Sequence, residues 1–339
     1  MTQTNRKKSR RVTIYEVAKE ADVSLATVSR VINGSEVVKE PTRRKVEDAI
    51  SRLGYKPNAI AQGLALSKTT SVGLIVPEAS FSYVGQVING LLDVAKIYKY
   101  NIMLHTINEG ITDVESIVDD VIKSRVDGVI VYSDRITDRS ISLLRQYNIP
   151  IVVISNRVSS DNICSVFVDI EKAIYELCSK YLSNGISDIA VVGDHRNINT
   201  TSMMLEGARR AFKEHDLKFD NEIRKPKNYH TTFHYLKDYF LDHKHQLVIA
   251  NRDSQAMAVL NAARENGIRV PDEMEIVGVI DTKYNSMMRP QISSFSIPSY
   301  DLGAVSMRLL TKMLDAEEIA DKEKCLKYLF TNRQTTKIY

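Results

Sequence analysis

The chain has 339 residues, 43% hydrophobic and 26% charged, with 14 glycines, 8 prolines, 3 cysteines and no tryptophan. That length calls for two or three domains, and the apolar fraction excludes global disorder. No run approaches the roughly 18 apolar residues a membrane helix requires, and no apolar signal core follows the basic start MTQTNRKKSRR. Cys164, Cys178 and Cys325 are odd in number and far apart, so neither a disulfide framework nor a Cys-x-x-Cys metal site is present. The expectation is a soluble, cytoplasmic, multidomain protein.

Charge is divided unevenly. Residues 1–69 carry 14 Lys/Arg against 7 Asp/Glu, a net of +7, while the remaining 270 carry 32 against 35, a net of −3. A small basic module on a slightly acidic body points to a polyanionic partner at the amino end, although a basic surface without a partner gives the same arithmetic.

Residues 12–55 read as three short helices. Ile14, Val17, Ala18 and Ala21 share one helical face. Ser24 can N-cap a second helix from Leu25 to Asn33, lined inside by Val28, Val31 and Ile32 and stopped by Asn33-Gly34. Pro41 suits the first turn of a third helix, roughly 41–53, with the stripe Val46, Ala49, Ile50 and Leu53. Two helices joined by a three-residue turn and steadied by a third make a helix-turn-helix unit. The segment NAIAQGLALSK after Pro57 is short and contains Gly63, so it is marginal as an isolated helix.

From Ser71 the pattern changes to apolar runs, VGLIVP, NIMLHTI, DGVIVYS, IPIVVIS, IAVVGD, QLVIAN and MEIVGVI. Helix-like stretches at 112–124, 137–147, 171–183, 200–214 and 253–266 lie between most of them. This alternation predicts parallel sheets covered on both faces, and the length predicts two similar lobes.

Several chemistries are missing. No two glycines stand two residues apart and none precedes a lysine, so GxGxxG and phosphate-loop motifs are excluded. His230, His234, His243 and His245 lack arranged carboxylate or thiolate co-ligands, so no metal is expected. Gly193-Asp194-His195 follows a strand, but no Ser or Cys nucleophile is paired with it; binding explains such a loop equally well. No catalytic residue and no cofactor is assigned.

The string VTIYEVAKEADVSLATVSRVING, followed by PTRRKVEDAISRLGYKPNAIAQGLA, resembles the DNA-binding region of the lactose-repressor (LacI/GalR) family. VDGVIVYS, NRDSQAMAV, VPDEMEIVGVID and MRPQISSFSIP are similar to that family's effector-binding core, so the resemblance spans nearly the whole chain. It implies an all-α helix-turn-helix domain (1–57) with a basic tail and a hinge helix (58–70). These join an α/β core like periplasmic sugar-binding proteins, with one lobe of 71–170 plus 299–320 and another of 171–298 plus 321–339. Three crossings are implied, near 168–171, 295–299 and 318–325.

The family's base- and phosphate-contacting positions match Tyr15, Ser24, Leu25, Ala26, Thr27, Ser29, Arg30 and Asn33. Arg30 suits a bidentate bond to guanine. Ser24, Thr27, Asn33 and Tyr15 suit phosphate or sugar oxygens, and Leu25 and Ala26 suit a thymine methyl. Ser24 and Thr27 also serve as helix caps, and Arg30 as a solvated cation. Leu64 matches the leucine that family members wedge into the minor groove, or else packs within the protein. A homodimer on a palindromic duplex is implied.

Two signals compete for the core. A small sugar or sugar phosphate in the inter-lobe cleft has Asp253 and Asp281 at strand ends, but Met204 stands where sugar-binding members usually place an arginine. Alternatively, IYKYNI and SYDLGAVSMRLLTKM are similar to members that respond to serine-phosphorylated HPr, a phosphocarrier protein. The matching positions are Tyr98, Tyr300, Asp301, Arg308 and Lys312. Periodicity places Asp301, Arg308 and Lys312 on one exposed face, with Leu309, Leu310, Met313 and Leu314 turned inward. Two cations one turn apart can clamp a phosphoserine; an ordinary solvated helix face has the same spacing. Leu329 stands where such relatives have a further arginine.

Overall fold

In the computed structural model the structure describes residues 12–56, 69–77, 82–107, 114–133, 137–158, 160–193, 198–223 and 228–337. The chain divides into two compact units, Met1–Thr69 and Thr70–Tyr339. In the first, α1 (Ile14–Ala21), α2 (Leu25–Ile32) and α3 (Glu40–Leu53) follow the apolar periodicity. Val17, Val28, Val46 and Ala49 are fully buried between them, and each such valine contributes on the order of 1.5–3 kcal/mol. Asp22 turns the chain from α1 in the left-handed region at φ 53°, which a short polar side chain tolerates. Gly54 ends α3 at φ 61°. Of the hinge expected over 58–70, residues 58–68, Leu64 among them, lie outside the described residues.

The second unit contains two six-stranded sheets. The first is built from β1 (Ser71–Val76), β2 (Asn101–Thr106), β3 (Gly128–Val131), β4 (Ile151–Ile154), β5 (Ile163–Val168) and β11 (Glu323–Leu326), in the order β11-β5-β4-β3-β1-β2. The second is built from β6 (Ile189–Val192), β7 (Glu222–Ile223), β8 (Leu247–Ala250), β9 (Glu275–Gly278), β10 (Ser293–Ser296) and β12 (Leu329–Thr331), in the order β12-β10-β9-β8-β6-β7. The ladders are parallel except β10 with β12. Central strands are buried along their length, as strands covered on both faces must be. The first lobe carries α4 (Ser82–Ile97), α5 (Val114–Lys123), α6 (Asp138–Gln146) and α12 (Ser299–Leu314). The second carries α7 (Ile170–Ser183), α8 (Ile198–Glu214), α9 (Tyr229–Asp242), α10 (Asp253–Glu265) and α11 (Lys283–Met287).

Two features differ from expectation. Strand β5, sequence ICSVFV, carries Cys164 and Ser165, which dilute its apolar run, yet Ser165 is fully buried. Residues 321–339 do not belong wholly to the second lobe. Glu323–Leu326 pair in parallel with Ser165–Val168 in the first sheet, and Arg157 bonds Glu323 there. The last crossing is therefore the short link 327–328 between β11 and β12, later than the 318–325 expected.

Helix pairs in both lobes meet through glycine. A methyl at Gly90 would overlap the Tyr300 carbonyl, and one at Gly303 the Val87 carbonyl, so α4 and α12 cross with their backbones in contact. Gly207 on α8 faces the Glu171 carbonyl of α7 in the same way.

Candidate nucleic-acid interface

In the amino-terminal unit the first two helices are capped at their starts. In α1, the Thr13 amide donates to Glu16 Oε2 at 2.7 Å, closing the first turn. At α2, Ser24 Oγ accepts from the Thr27 amide at 3.1 Å and lies 2.9 Å from Thr27 Oγ1. Ser24 therefore caps the helix, with the Thr27 hydroxyl beside it, and Ser24 remains exposed. Arg43 donates to the Ser35 carbonyl at 2.6 Å, tying the loop after α2 to α3.

Of the described positions expected to meet DNA, Tyr15 is on α1 and the others lie on α2 or at its two ends. Tyr15 is 68% exposed and Leu25 37%, with Ala26, Arg30 and Asn33 exposed and Thr27 and Ser29 half-buried. Asn33 Nδ2 donates to Ser29 Oγ at 3.4 Å. The Arg30 guanidinium makes no hydrogen bond or ion pair among the described residues, so its fork of donors is free for a base edge or phosphate. The inward face, Val28 and Val31, is buried. Leu64 lies outside the described residues.

On the core, Tyr98 and Tyr300 are 43% and 44% exposed, and Asp301, Arg308 and Lys312 are exposed on α12 or its first turn. Leu309 and Leu310 are buried beneath them, while Met313 and Leu314 are half-buried. Tyr300 Oη donates to Asp93 Oδ2 at 2.9 Å. That bond, then burial, raises the Tyr300 pKa above the ordinary phenol value. Lys312 lies 3.6 Å from Glu317. Sequence reasoning missed Asp93, and also Leu92 and Ile97 on α4, the last 72% exposed. The signal for Leu92 and Ile97 is an apolar residue on the outer face of an otherwise amphipathic helix. Leu329 is 72% exposed on β12.

The two acids expected in the cleft are already engaged. Asp253 Oδ2 accepts from Thr282 Oγ1 at 2.7 Å and its Oδ1 from the Ser254 amide at 2.6 Å. Asp281 accepts from Arg333 at 2.8 Å in a largely buried ion pair, with side chains 14% and 16% exposed. Asn251, Arg252 and Gln255, at the end of β8 and start of α10, are fully buried and were missed because a polar trio after an apolar strand reads as loop. Met204 is fully buried in the core.

The histidines fall into two settings. His230 and His234 flank an open groove of about 570 Å³ with Tyr229, Phe233, Asn261, Arg264 and Glu265. His245 is buried between Asp188, 2.7 Å from Nδ1, and Tyr239, 2.8 Å from Nε2. Among the described residues no three His, Cys, Asp or Glu side chains gather as a metal would need, and no helix is long and apolar enough to cross a membrane. Asp194 and His195 lie outside the described residues.

Residues 13–58 match the model of bacterial regulatory proteins, lacI family, and residues 179–336 that of a periplasmic binding protein-like domain. Catabolite control protein A of Staphylococcus epidermidis is 37% identical over 330 residues, covering 96% of this chain and 99% of the relative. The same-named protein of Priestia megaterium is 35% identical over 330 residues, with the same coverage. Transcription regulator CcpA of Lactococcus lactis superposes with a TM-score of 0.70 at 26% identity, covering 79% of this chain and 99% of that structure. A Lac repressor dimer bound to operator and the anti-inducer ONPF reaches 0.85 at 22% identity, covering 96% and 99%, a likeness of fold. The chain belongs to the lacI family of bacterial regulatory proteins: it is a DNA-binding transcription regulator similar to catabolite control protein A, and not an enzyme.

Proposed function

We propose that the protein is a homodimeric regulator of carbohydrate genes that binds a palindromic operator, and that serine-phosphorylated HPr docking on the core promotes this binding. Tyr15, Ser24, Leu25, Ala26, Thr27, Ser29, Arg30 and Asn33 contact the duplex in the major groove, and Leu64 enters the minor groove. A single three-helix unit covers little DNA, so two copies facing a twofold-symmetric site supply the affinity. Whether a target is repressed or activated depends on where its site lies.

The observation that carries the docking reading is the outer face of α12. Arg308 and Lys312 stand exposed one turn apart, with no partner for the Arg308 guanidinium among the described residues. Tyr98 and Tyr300 offer exposed rings at the neighbouring end of α4 and start of α12. Two cations suit the oxygens of a phosphoserine, and Asp301 suits a basic residue of the partner. The outward Leu329 leaves the phosphate to these two cations. The second reading, a local sugar-operon repressor with a sugar or sugar phosphate at Asp253 and Asp281, is weakened by the Asp281–Arg333 pair.

Titrating the full chain with serine-phosphorylated HPr separates the two. The docking reading expects saturable binding that drops at least tenfold in Arg308→Ala and in Lys312→Ala, in line with the loss of a charge-assisted bond. Absence of binding, together with a sharp thermal shift from one sugar, favours the second reading.

A further inference from the structure

Two side chains past the carboxyl ends of β4 and β6, one strand from each sheet, meet in a hydrogen bond. Asn199, in the first turn of α8, donates from Nδ2 to Asn156 Oδ1, just past β4, at 3.2 Å. One residue belongs to each lobe, and both side chains are half-buried.

Each end of this bridge is fixed within its own lobe. Asn156 follows Ser155, whose φ of 76° puts a non-glycine residue in the left-handed region. Such backbone persists only where its surroundings hold it. The Ser155 amide donates to the Val166 carbonyl at 3.0 Å. Arg157 is bonded to Glu323 and sits 5.9 Å from the Phe167 ring centroid. The loop thus aims Asn156 outward from a strained, clamped turn.

On the other side, Thr201 Oγ1 accepts from Asn251 Nδ2 at 3.1 Å. Gly193 lies so near Thr201 that a methyl there would be 2.5 Å from Thr201 Cγ2. The first turn of α8 is therefore seated on the ends of β6 and β8.

We propose that Asn156 and Asn199 form a latch that ties the two lobes of the core to each other. Any molecule entering between the lobes must first break the bridge or find them already apart. The latch stands independently of the HPr reading, since it uses neither α12 nor its outer face.

The test uses the full chain, free of ligand, in hydrogen exchange and small-angle scattering. Asn199→Ala removes the side-chain amide, and alanine is the best helix former, so α8 is retained. Asn156→Asp keeps an acceptor for the Asn199 amide at the same place. In the wild type the Ser155 amide is bonded to the Val166 carbonyl beside the latch. Asn199→Ala is expected to speed its exchange roughly threefold to tenfold, as loss of one hydrogen bond allows, and to enlarge the radius of gyration. Asn156→Asp is expected to keep both near wild type. Exchange that changes less than twofold in Asn199→Ala, an unchanged radius, or equal loss in Asn156→Asp overturns the latch. A failure of HPr to bind leaves these outcomes unaffected.

Discussion

Replacing Gly303 by alanine tests the crossing of α4 and α12. The added methyl would overlap the Val87 carbonyl oxygen, lie 2.8 Å from its carbon and 3.0 Å from the Leu91 nitrogen. Non-bonded carbons settle at about 3.5–4.0 Å, so the helices must part by about 1 Å. The obstacle is backbone, so no rotamer change relieves it. The seam contains Val87, Leu91 and Leu310, all fully buried, and separation thins every contact they make. Overpacking of this kind costs roughly 3 kcal/mol, the upper part of its usual range. At about 2–4 °C per kcal/mol for a unit of this size, the core should melt roughly 6–12 °C lower. Gly85 supplies the control: it lies in α4, the other helix of the pair, where a methyl meets nothing within 4 Å. Gly85→Ala should gain about 0.8–1 kcal/mol of helix propensity and melt slightly higher. Thermal melts followed by circular dichroism read both. A Gly303→Ala protein melting within 2 °C of wild type, or a Gly85→Ala protein falling as far, would refute the reasoning.

Further outcomes follow from other sites. Arg30→Ala should weaken operator binding by roughly 1–3 kcal/mol and relax specificity at one base pair, as a lost bidentate guanine contact does; a uniform loss on all sequences in a binding titration would make Arg30 a phosphate contact instead. Arg333→Met leaves the Asp281 carboxylate without its cation and should cost about 3 kcal/mol of core stability by denaturant unfolding, whereas an unchanged midpoint would mean the pair is dispensable. A thiol reagent at pH 8 should count one accessible cysteine in the native protein, Cys325, and three after denaturation. Burial raises the thiol pKa of Cys164 and pushes Cys178 up from about 9 to about 12. That raised value favours the fold fully below pH 9 and loses its contribution as pH climbs through about 12. Rapid labelling of Cys178 in the native state contradicts this burial.

The amino-terminal helices are legible in sequence because every determinant is local: the spacing of Ile14, Val17, Ala18 and Ala21, the cap at Ser24, the stop at Gly34 and the proline opening α3. The core strands are legible where apolar runs are pure. Strand β5 is not, since Cys164 and Ser165 look exposed until the neighbouring strands bury them. The assignment of Glu323–Leu326 to the first sheet is invisible because their partners lie some 160 residues away. The exposed face of α12 follows from periodicity. The partners of Asp253 and Asp281 do not: Thr282 and Arg333 meet them only through the folded sheet edge. The Asn156–Asn199 bridge is equally hidden, being a contact between lobes.

The nine residues from Glu323 to Thr331 supply one strand to each sheet in quick succession. During synthesis, neither lobe can complete its hydrogen-bonded edge until this last stretch clears the ribosome. The small helical unit closes its core from neighbours and is finished long before. A nascent polypeptide would therefore carry a folded three-helix unit ahead of an unsealed body, and premature termination upstream of Glu323 would damage both halves of that body at once.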